Sequence, residues 1–268
     1  MAKFIELKSK KRLATAARIT LVGAGPGDPD LMTIKGLKAL QSADVVLYDA
    51  LVNEAILTEA PAHALKVFVG KRAGLHSYRQ EEINLLLVQH ALNYGHVVRL
   101  KGGDSFVFGR GHEELAYARA FDIPVNVVPG ISSCIALPEL QGIPPTRRAL
   151  NESFWVLTGT TRSGALSQDV AIAAQSSATA IILMGMRKIR EIMICFTQND
   201  KQDTPVMVIQ NGSLPNEKYY LGTVSTIADQ LEANPTDGPG IIVVGEVVGL
   251  HEDLQEVVYG EEREKVRG

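Results

Sequence analysis

Val97-Val98-Arg99-Leu100-Lys101-Gly102-Gly103-Asp104-Ser105-Phe106-Val107-Phe108-Gly109-Arg110-Gly111-His112-Glu113-Glu114 is the stretch on which the fold of this chain turns. It opens as a short apolar run, the pattern of a buried strand. It breaks at Gly102-Gly103-Asp104. After two aromatics and a Gly-Arg-Gly it restarts at Glu113-Glu114, with the helical spacing of Leu115, Ala116 and Ala118 behind them. A strand, a bare turn and a helix start therefore follow one another. In open α/β sheets the ligand crevice lies at the carboxyl ends of the strands, where such turns sit. Gly102 and Gly103 lack Cβ atoms, so the backbone can approach a ligand closely or take positive φ there. Asp104 only accepts hydrogen bonds when ionised, which suits ribose hydroxyls or an amino group and repels phosphate.

The same grammar repeats on either side. Arg18 to Gly23 reads as a strand and ends in Gly23-Ala24-Gly25-Pro26-Gly27-Asp28-Pro29-Asp30, a loop by its Gly and Pro content. A helix follows from Thr33, a natural N-cap, with Ile34, Leu37, Ala39 and Leu40 on its inner face. Ala43 to Asp49 is a second strand with a carboxylate at its end, and Lys66 to Arg72 is a third ending in two cations. Gln80 to Leu92 is an amphipathic helix, and Pro124 to Gly130 is a fifth strand leading into Ser132 and Ser133. Strands alternating with helices argue for a parallel sheet. Pro26, Asp49, Lys71, Asp104 and Ser132 each fall just after a strand, so they share one sheet edge. The spacing Gly23-x-Gly25-x-Gly27 is wrong for the dinucleotide fingerprint G-x-G-x-x-G, and Pro26 removes an N–H that a phosphate cradle would use.

From Ser133 to about Glu152 the chain changes character. Gly142-Ile143-Pro144-Pro145-Thr146-Arg147-Arg148 is a stiff loop carrying adjacent cations, the chemistry of a fixed anion receptor. A second set of strands follows at Ser153–Gly159, Ala178–Met184, Pro205–Gln210 and Gly240–Gly245, with Tyr219–Gly222 as a short hairpin arm. Helical patterns lie between them at Leu166–Ala174, Ile189–Phe196 and Thr226–Ala233. The expected organisation is a tail over 1–17, an α/β domain with a mostly parallel sheet over 18–132, a second α/β domain with a mixed sheet over 133–250, and a charged tail over 251–268. A boundary inside polar, motif-rich sequence places the ligand in the cleft between the domains.

Composition excludes several classes of function. The chain has 268 residues, is 46% hydrophobic and carries a net charge of -3, so it buries a real core and holds no general attraction for nucleic acid. An anionic ligand must be met by local arginines. Cys134 and Cys195 are too far apart for a zinc motif or a disulfide framework, and no metal site is expected. No apolar run reaches the ~18 residues of a membrane span. The basic N-terminus has no apolar segment behind it, so it is no secretory signal, and the expected location is cytoplasmic.

These segments together resemble the uroporphyrinogen-III C-methyltransferases, within the tetrapyrrole methylases that use S-adenosylmethionine. The resemblance rests on Val22-Gly23-Ala24-Gly25-Pro26-Gly27-Asp28-Pro29, Val46-Leu47-Tyr48-Asp49, Val69-Gly70-Lys71-Arg72-Ala73-Gly74 and Arg99-Leu100-Lys101-Gly102-Gly103-Asp104. It continues through Phe108-Gly109-Arg110-Gly111-x-Glu113-Glu114, Val128-Pro129-Gly130-Ile131, Gly142-Ile143-Pro144, Met184-Gly185 and Asn211-Gly212. Singly the glycine motifs are weak; nine in order over residues 18–250 are very specific.

The resemblance implies two α/β domains with the cofactor in their cleft, and a homodimer. It implies methylation of uroporphyrinogen III at C2 and C7, through precorrin-1 to precorrin-2, with S-adenosylhomocysteine as the second product. Precorrin-2 feeds siroheme, cobalamin or haem d1. Position by position, the resemblance implies cofactor contacts at Pro26, Gly102, Gly103, Asp104, Val107, Ser132, Ser133, Met184 and Gly212, with Gly240 beside them. It implies a proton acceptor at Asp49 and a proton donor at Lys71. It places tetrapyrrole contacts at or next to Arg110, Glu113, Arg147 and Met186.

Three positions depart from the family pattern. Ser105 stands where proline usually follows Gly-Gly-Asp, and Ser132-Ser133 replaces Thr-Ala. Pro145-Thr146-Arg147-Arg148 makes Arg148 the match to the family arginine, and thus the preferred carboxylate anchor over Arg147. Asp49, at the end of a buried strand, is placed to accept a proton as the macrocycle rearranges. A carboxylate bonded to pyrrole N–H groups would look the same in sequence, and Glu113 competes for that part. A sibling methylase and a non-catalytic binder of S-adenosylmethionine or tetrapyrrole are the rival readings. Asp49 with Lys71 argues against the binder, and Gly109-Arg110-Gly111-x-Glu113-Glu114 argues against the sibling.

Overall fold

The computed structural model describes residues 16–70, 78–235 and 237–254. Lys71, Arg72 and most of both tails lie outside the described residues. By its internal contacts the chain divides into two compact units. One holds the residues up to Gly25 and Pro29–Gly130; the other holds Ile131 onwards together with Pro26–Asp28.

The first unit is a parallel sheet of five strands: β1 (Arg18–Gly23), β2 (Val45–Tyr48), β3 (Leu65–Phe68), β4 (His96–Lys101) and β5 (Val125–Val128), in the order β3-β2-β4-β1-β5. Three helices connect them: α1 (Ile34–Leu40), α2 (Gln80–Tyr94) and α3 (Gly111–Arg119). Successive strand residues face opposite ways. Ile19, Leu21, Val45, Leu47 and Val97 pack under α2 and α3. Val22, Val46, Val98 and Leu100 pack under α1 and the 3-10 turn Glu54–Glu59. The two faces follow from right-handed crossovers, because β1 and β2 move towards one edge of the sheet while β3 and β4 return towards the other.

Thr33 caps α1 as expected, its Oγ1 accepting the Gly36 N–H at 3.1 Å, a bond that stabilises a helix by ~1 kcal/mol. Ile34 does not reach the inner face and is largely exposed. Gly36 lies inward in its place, so close that a Cβ there would stand 3.1 Å from Val22 Cγ1. The third strand stops at Phe68, short of the expected Arg72. Beyond it the chain presses against the loop after β2, where a Cβ on Gly70 would lie 2.4 Å from Ala50 N.

The second unit is a mixed sheet of β6 (Phe154–Thr158), β7 (Thr179–Leu183), β8 (Pro205–Gln210), β9 (Lys218–Thr223) and β10 (Gly240–Val244), ordered β6-β7-β10-β8-β9. Only β6 and β7 run parallel; β8 and β9 form the expected hairpin. Helices α5 (Gln168–Gln175), α6 (Ile189–Thr197) and α7 (Ile227–Ala233) cover one face. Helix α4 (Ser133–Leu140) covers the other, burying Cys134 and Leu137 against Ile181, Met207 and Ile209. Hydrophobic periodicity carries no sharp signal for α4, since Ser132-Ser133 and an internal Pro138 mask its period. No helix among the described residues is long and apolar enough to cross a membrane.

Candidate active site

β1 and β4 are neighbours whose onward connections diverge, β1 towards β2 and β4 towards β5. Adjacent strands of that kind mark the switch point of a parallel sheet, where the crevice forms. Three glycines close the strand ends there. A Cβ on Gly130 would stand 2.4 Å from Gly103 O, and one on Gly23 would stand 2.5 Å from Gly130 N. Backbone touches backbone, so no side chain fits. Gly103 takes φ 65°, and it exchanges hydrogen bonds with Gly25, N–H to O at 2.7 Å in one direction and 3.3 Å in the other. Gly102 lies against Leu51, whose Cβ would be 2.5 Å from a Cβ at that position.

Asp104 clasps this junction. Its Oδ1 accepts the N–H groups of Phe106 at 2.8 Å and Val107 at 3.1 Å, and its Oδ2 accepts the Gly130 N–H at 3.1 Å. A carboxylate offers about four acceptor positions, so most of this one serves the loop itself. The loop then turns through left-handed Phe108 (φ 51°) and Arg110 (φ 59°). Phe106, Val107 and Phe108 are left exposed at its tip. Ser105 is buried, and its Oγ has no hydrogen-bond partner among the described residues.

Asp49 follows β2 on the same edge. Its Oδ1 accepts the Leu51 N–H at 3.2 Å and the Gly102 N–H at 3.4 Å, and its Oδ2 stands 3.6 Å from Arg99 Nη2. Behind it lies a group of buried charges. Glu114 Oε1 receives Arg99 Nε at 3.1 Å, Lys101 Nζ at 3.2 Å and Gln80 Nε2 at 3.3 Å. Burial works against the Glu114 anion, but Arg99 and Lys101 outweigh it and hold its carboxyl below the usual range. Burial, with Arg99 beside it, lowers the Lys101 ammonium from its ordinary value. Arg99, Lys101 and Glu114 stand in the motif segments, but spacing along the chain assigns them no role. The signal was present, since a strand that is apolar at every other position carries cations at both Arg99 and Lys101.

Arg110 and Glu113 form a two-bond pair with each other, Nε to Oε1 at 2.8 Å and Nη2 to Oε2 at 2.7 Å, and both are half exposed. Lys71, which the resemblance implies as the proton donor, lies outside the described residues.

In the second unit, Ser132 opens α4 in extended conformation without capping it, its Oγ accepting the Cys134 thiol at 3.1 Å. Ser133 is the first residue of that helix. Gly212 sits between left-handed Asn211 (φ 51°) and Ser213 (φ 61°), tight against Leu137. The loop holding Pro26 packs on this turn, with the Asp28 N–H donating to Ser213 Oγ at 3.0 Å. Met184 is left-handed (φ 56°) and 52% exposed, its carbonyl fixed by Thr160 Oγ1 at 2.7 Å. For a bulky side chain that conformation costs ~1–3 kcal/mol, the kind of strain that gathers at ligand sites. Met186 and Gly240 are neighbours, a Cβ on Gly240 falling 2.9 Å from Met186 Sδ. Arg147 and Arg148 are exposed on a turn held by Asn151, whose Oδ1 accepts the Arg147 N–H and whose Nδ2 donates to Pro145 O. Neither guanidinium has an ion-pair partner among the described residues.

The model of the Tetrapyrrole (Corrin/Porphyrin) Methylases matches residues 18–228. This chain belongs to that family. It is 45% identical over 235 residues to a uroporphyrinogen-III C-methyltransferase of Methanocaldococcus jannaschii, covering 87% of this chain and 97% of the relative. It is 45% identical over 251 residues to a siroheme synthase of Actinobacillus pleuropneumoniae, where it spans 51% of the relative's length. Among solved structures, the uroporphyrin-III C-methyl transferase of Thermus thermophilus complexed with S-adenyl homocysteine aligns with TM-score 0.75 and 37% identity, over 87% of this chain and 99% of the other.

The loops expected to carry cofactor contacts are poor in charge within each unit. In 23–28, 102–108 and 130–133 the only charged side chains are the acids Asp28 and Asp104. The glycines leave backbone bare, Val107 and Met184 hold apolar side chains outward, and Ser132 Oγ does not serve its helix. Among the described residues no group of three or more His, Cys, Asp or Glu is placed to hold a metal ion.

Proposed function

We propose that this chain is an S-adenosylmethionine-dependent C-methyltransferase that converts uroporphyrinogen III to precorrin-2 by methylation at C2 and C7. The observation that carries the reading is the 45% identity to the M. jannaschii uroporphyrinogen-III C-methyltransferase along 97% of that protein. When bound, S-adenosylmethionine supplies an electrophilic methyl group on a cationic sulfur. The chain's part is to orient the two reactants and exclude water, and orientation by itself can lower a barrier by several kcal/mol.

From the first unit, Gly102, Gly103, Asp104 and Val107 contribute to cofactor binding. Pro26, Ser132, Ser133, Met184, Gly212 and Gly240 contribute from the second. Asp49 takes up the proton released as the methylated macrocycle rearranges, at the carboxylate that Arg99 holds. Lys71 returns one. The eight carboxylates of the substrate need cations that are not already committed. Arg148 and Arg147 meet that description, and Arg110 meets it when a substrate carboxylate displaces Glu113. The same reading includes a homodimer located in the cytoplasm, and a product that feeds siroheme, cobalamin or haem d1.

Incubation with uroporphyrinogen III and labelled S-adenosylmethionine tests it. A product heavier by two methyl groups is expected. Bound cofactor without methyl incorporation would leave only a binding protein.

A further inference from the structure

Four ionisable side chains run in a line at the switch point of the first unit, and their exposure is unequal. Arg99, Lys101 and Glu114 have side-chain exposures of 3%, 5% and 0%, whereas Asp49 at the end of the line has 25%. The charges balance, two cations against two carboxylates. Such a cluster is weak as a stabilising device, because apolar residues of similar volume would do as well or better. Its geometry has another use.

The guanidinium of Arg99 is planar, so fixing two of its nitrogens fixes the third. Glu114 Oε1 holds Nε, while the carbonyls of Leu100 at 3.0 Å and Leu47 at 3.4 Å hold Nη1. Nη2 is then left facing Asp49 Oδ2. Of these partners only Glu114 is a side chain, and only Glu114 carries charge. It stands in the first turn of α3, while Arg99 stands on the face of β4 that α2 and α3 cover. Lys101 shares the same carboxylate oxygen, so the anion also keeps two neighbouring cations together in the interior.

We propose that Glu114 is a positioning residue for methyl transfer: it sets the orientation of Arg99, and Arg99 in turn holds the Asp49 carboxylate in place to take up the proton. The inference rests on the proposed role of Asp49. It gives the second of the paired glutamates a task separate from that of Glu113, which faces solvent and pairs with Arg110.

A double-mutant cycle on the full chain tests it, read as single-turnover methyl transfer at saturating uroporphyrinogen III and S-adenosylmethionine. Glu114→Gln keeps the volume and one acceptor oxygen but removes the charge. It is expected to slow transfer about tenfold, with KM for uroporphyrinogen III and Kd for S-adenosylmethionine within about twofold of the parent. Asp49→Asn is expected to slow transfer about 100-fold, the scale of a lost general base. The double variant is expected to be no slower than Asp49→Asn alone. Equal slowing by Glu114→Gln in both backgrounds means a purely structural role and overturns the proposal, as does an unchanged rate in Glu114→Gln. Full activity in Asp49→Asn overturns the assignment of Asp49 itself and the inference with it, a result distinct from the other two. Loss of cofactor binding in a folded Glu114→Gln overturns the proposal; if Glu114→Gln fails to fold, as read by circular dichroism, Arg99→Lys is run through the same cycle. It keeps a cation, loses the fork and carries the same expectations.

Discussion

Asp104 spends its carboxylate on the backbone around it. The resemblance implies a cofactor contact at this position. Its bonds run to Phe106, Val107 and Gly130, tying the loop after β4 to the loop after β5. Asp104→Asn keeps an acceptor for Phe106 and Val107 but turns an amide donor towards the Gly130 N–H. It is expected to weaken S-adenosylmethionine binding by ~1–3 kcal/mol, and Asp104→Ala by no less, as read by calorimetry. Equal affinity in both variants and the parent would mean that the clasp does not shape the site. Ser105 is the complementary case. Its Oγ is buried without a partner, its φ is not positive, and no backbone bond from its N–H is seen among the described residues. Ser105→Pro restores the residue usual in the family, removes the stranded hydroxyl and stiffens the unfolded chain. The expected gain is ~0.4–1 kcal/mol, a rise of roughly 1–4 °C in Tm by calorimetry. A fall in Tm would show that the loop needs a conformation proline cannot take.

At the scale of elements, the strand ends were the most legible feature. β1 and β8 fall on the residues expected, because an apolar run closed by Gly or Pro leaves little choice. The stacking of three strand ends on Gly23, Gly103 and Gly130 was not legible. Each glycine reads singly as a loop residue, and their contact depends on strand order. Gly130→Ala places a methyl group 2.4 Å from Gly103 O, so β4 and β5 must part at their ends. A loss of ~1–3 kcal/mol in unfolding free energy is expected, together with weaker cofactor binding. Denaturant titration and calorimetry would each register it, and parent-like values in both would refute the close stacking. α4 and the inner face of α1 escaped for a related reason. A proline and two serines blurred the first, and a close approach of Gly36 to β1 displaced Ile34 from the second.

At the scale of the whole molecule, the charges divide into those paired in the interior and those exposed without an ion-pair partner among the described residues. Glu114 belongs to the first kind. Its carboxyl is held below the ordinary Glu value, so the stability it contributes is present above about pH 4.3 and is lost as pH falls through its folded value. The parent's denaturant midpoint is expected to drop below about pH 4.3, and that of Glu114→Gln to drop less steeply. Identical slopes would place the acid sensitivity elsewhere. Arg147 and Arg148 belong to the second kind. On a chain of net charge -3, local cations must gather a polyanionic substrate. KM for uroporphyrinogen III is expected to rise severalfold between about 0.05 and 0.5 M salt, while cofactor affinity changes little. Arg148→Ala should raise KM more than Arg147→Ala, and the reverse order would move the anchor by one residue.

The sequence by itself determined the alternation of strands and helices, the parallel first sheet, the mixed second sheet and the family. These are local properties: hydrophobic period, turn residues and motif order are written along the chain. Tertiary structure decided which groups face one another. Strand order made β1 and β4 neighbours with diverging connections and brought three glycines into contact. The pleat of β4 turned Arg99 and Lys101 inward under α3, where Glu114 meets them. Pairing between residues distant in sequence depends on strand order and register, and in the opening stretch it put Glu114 behind Asp49 while leaving Glu113 in solvent.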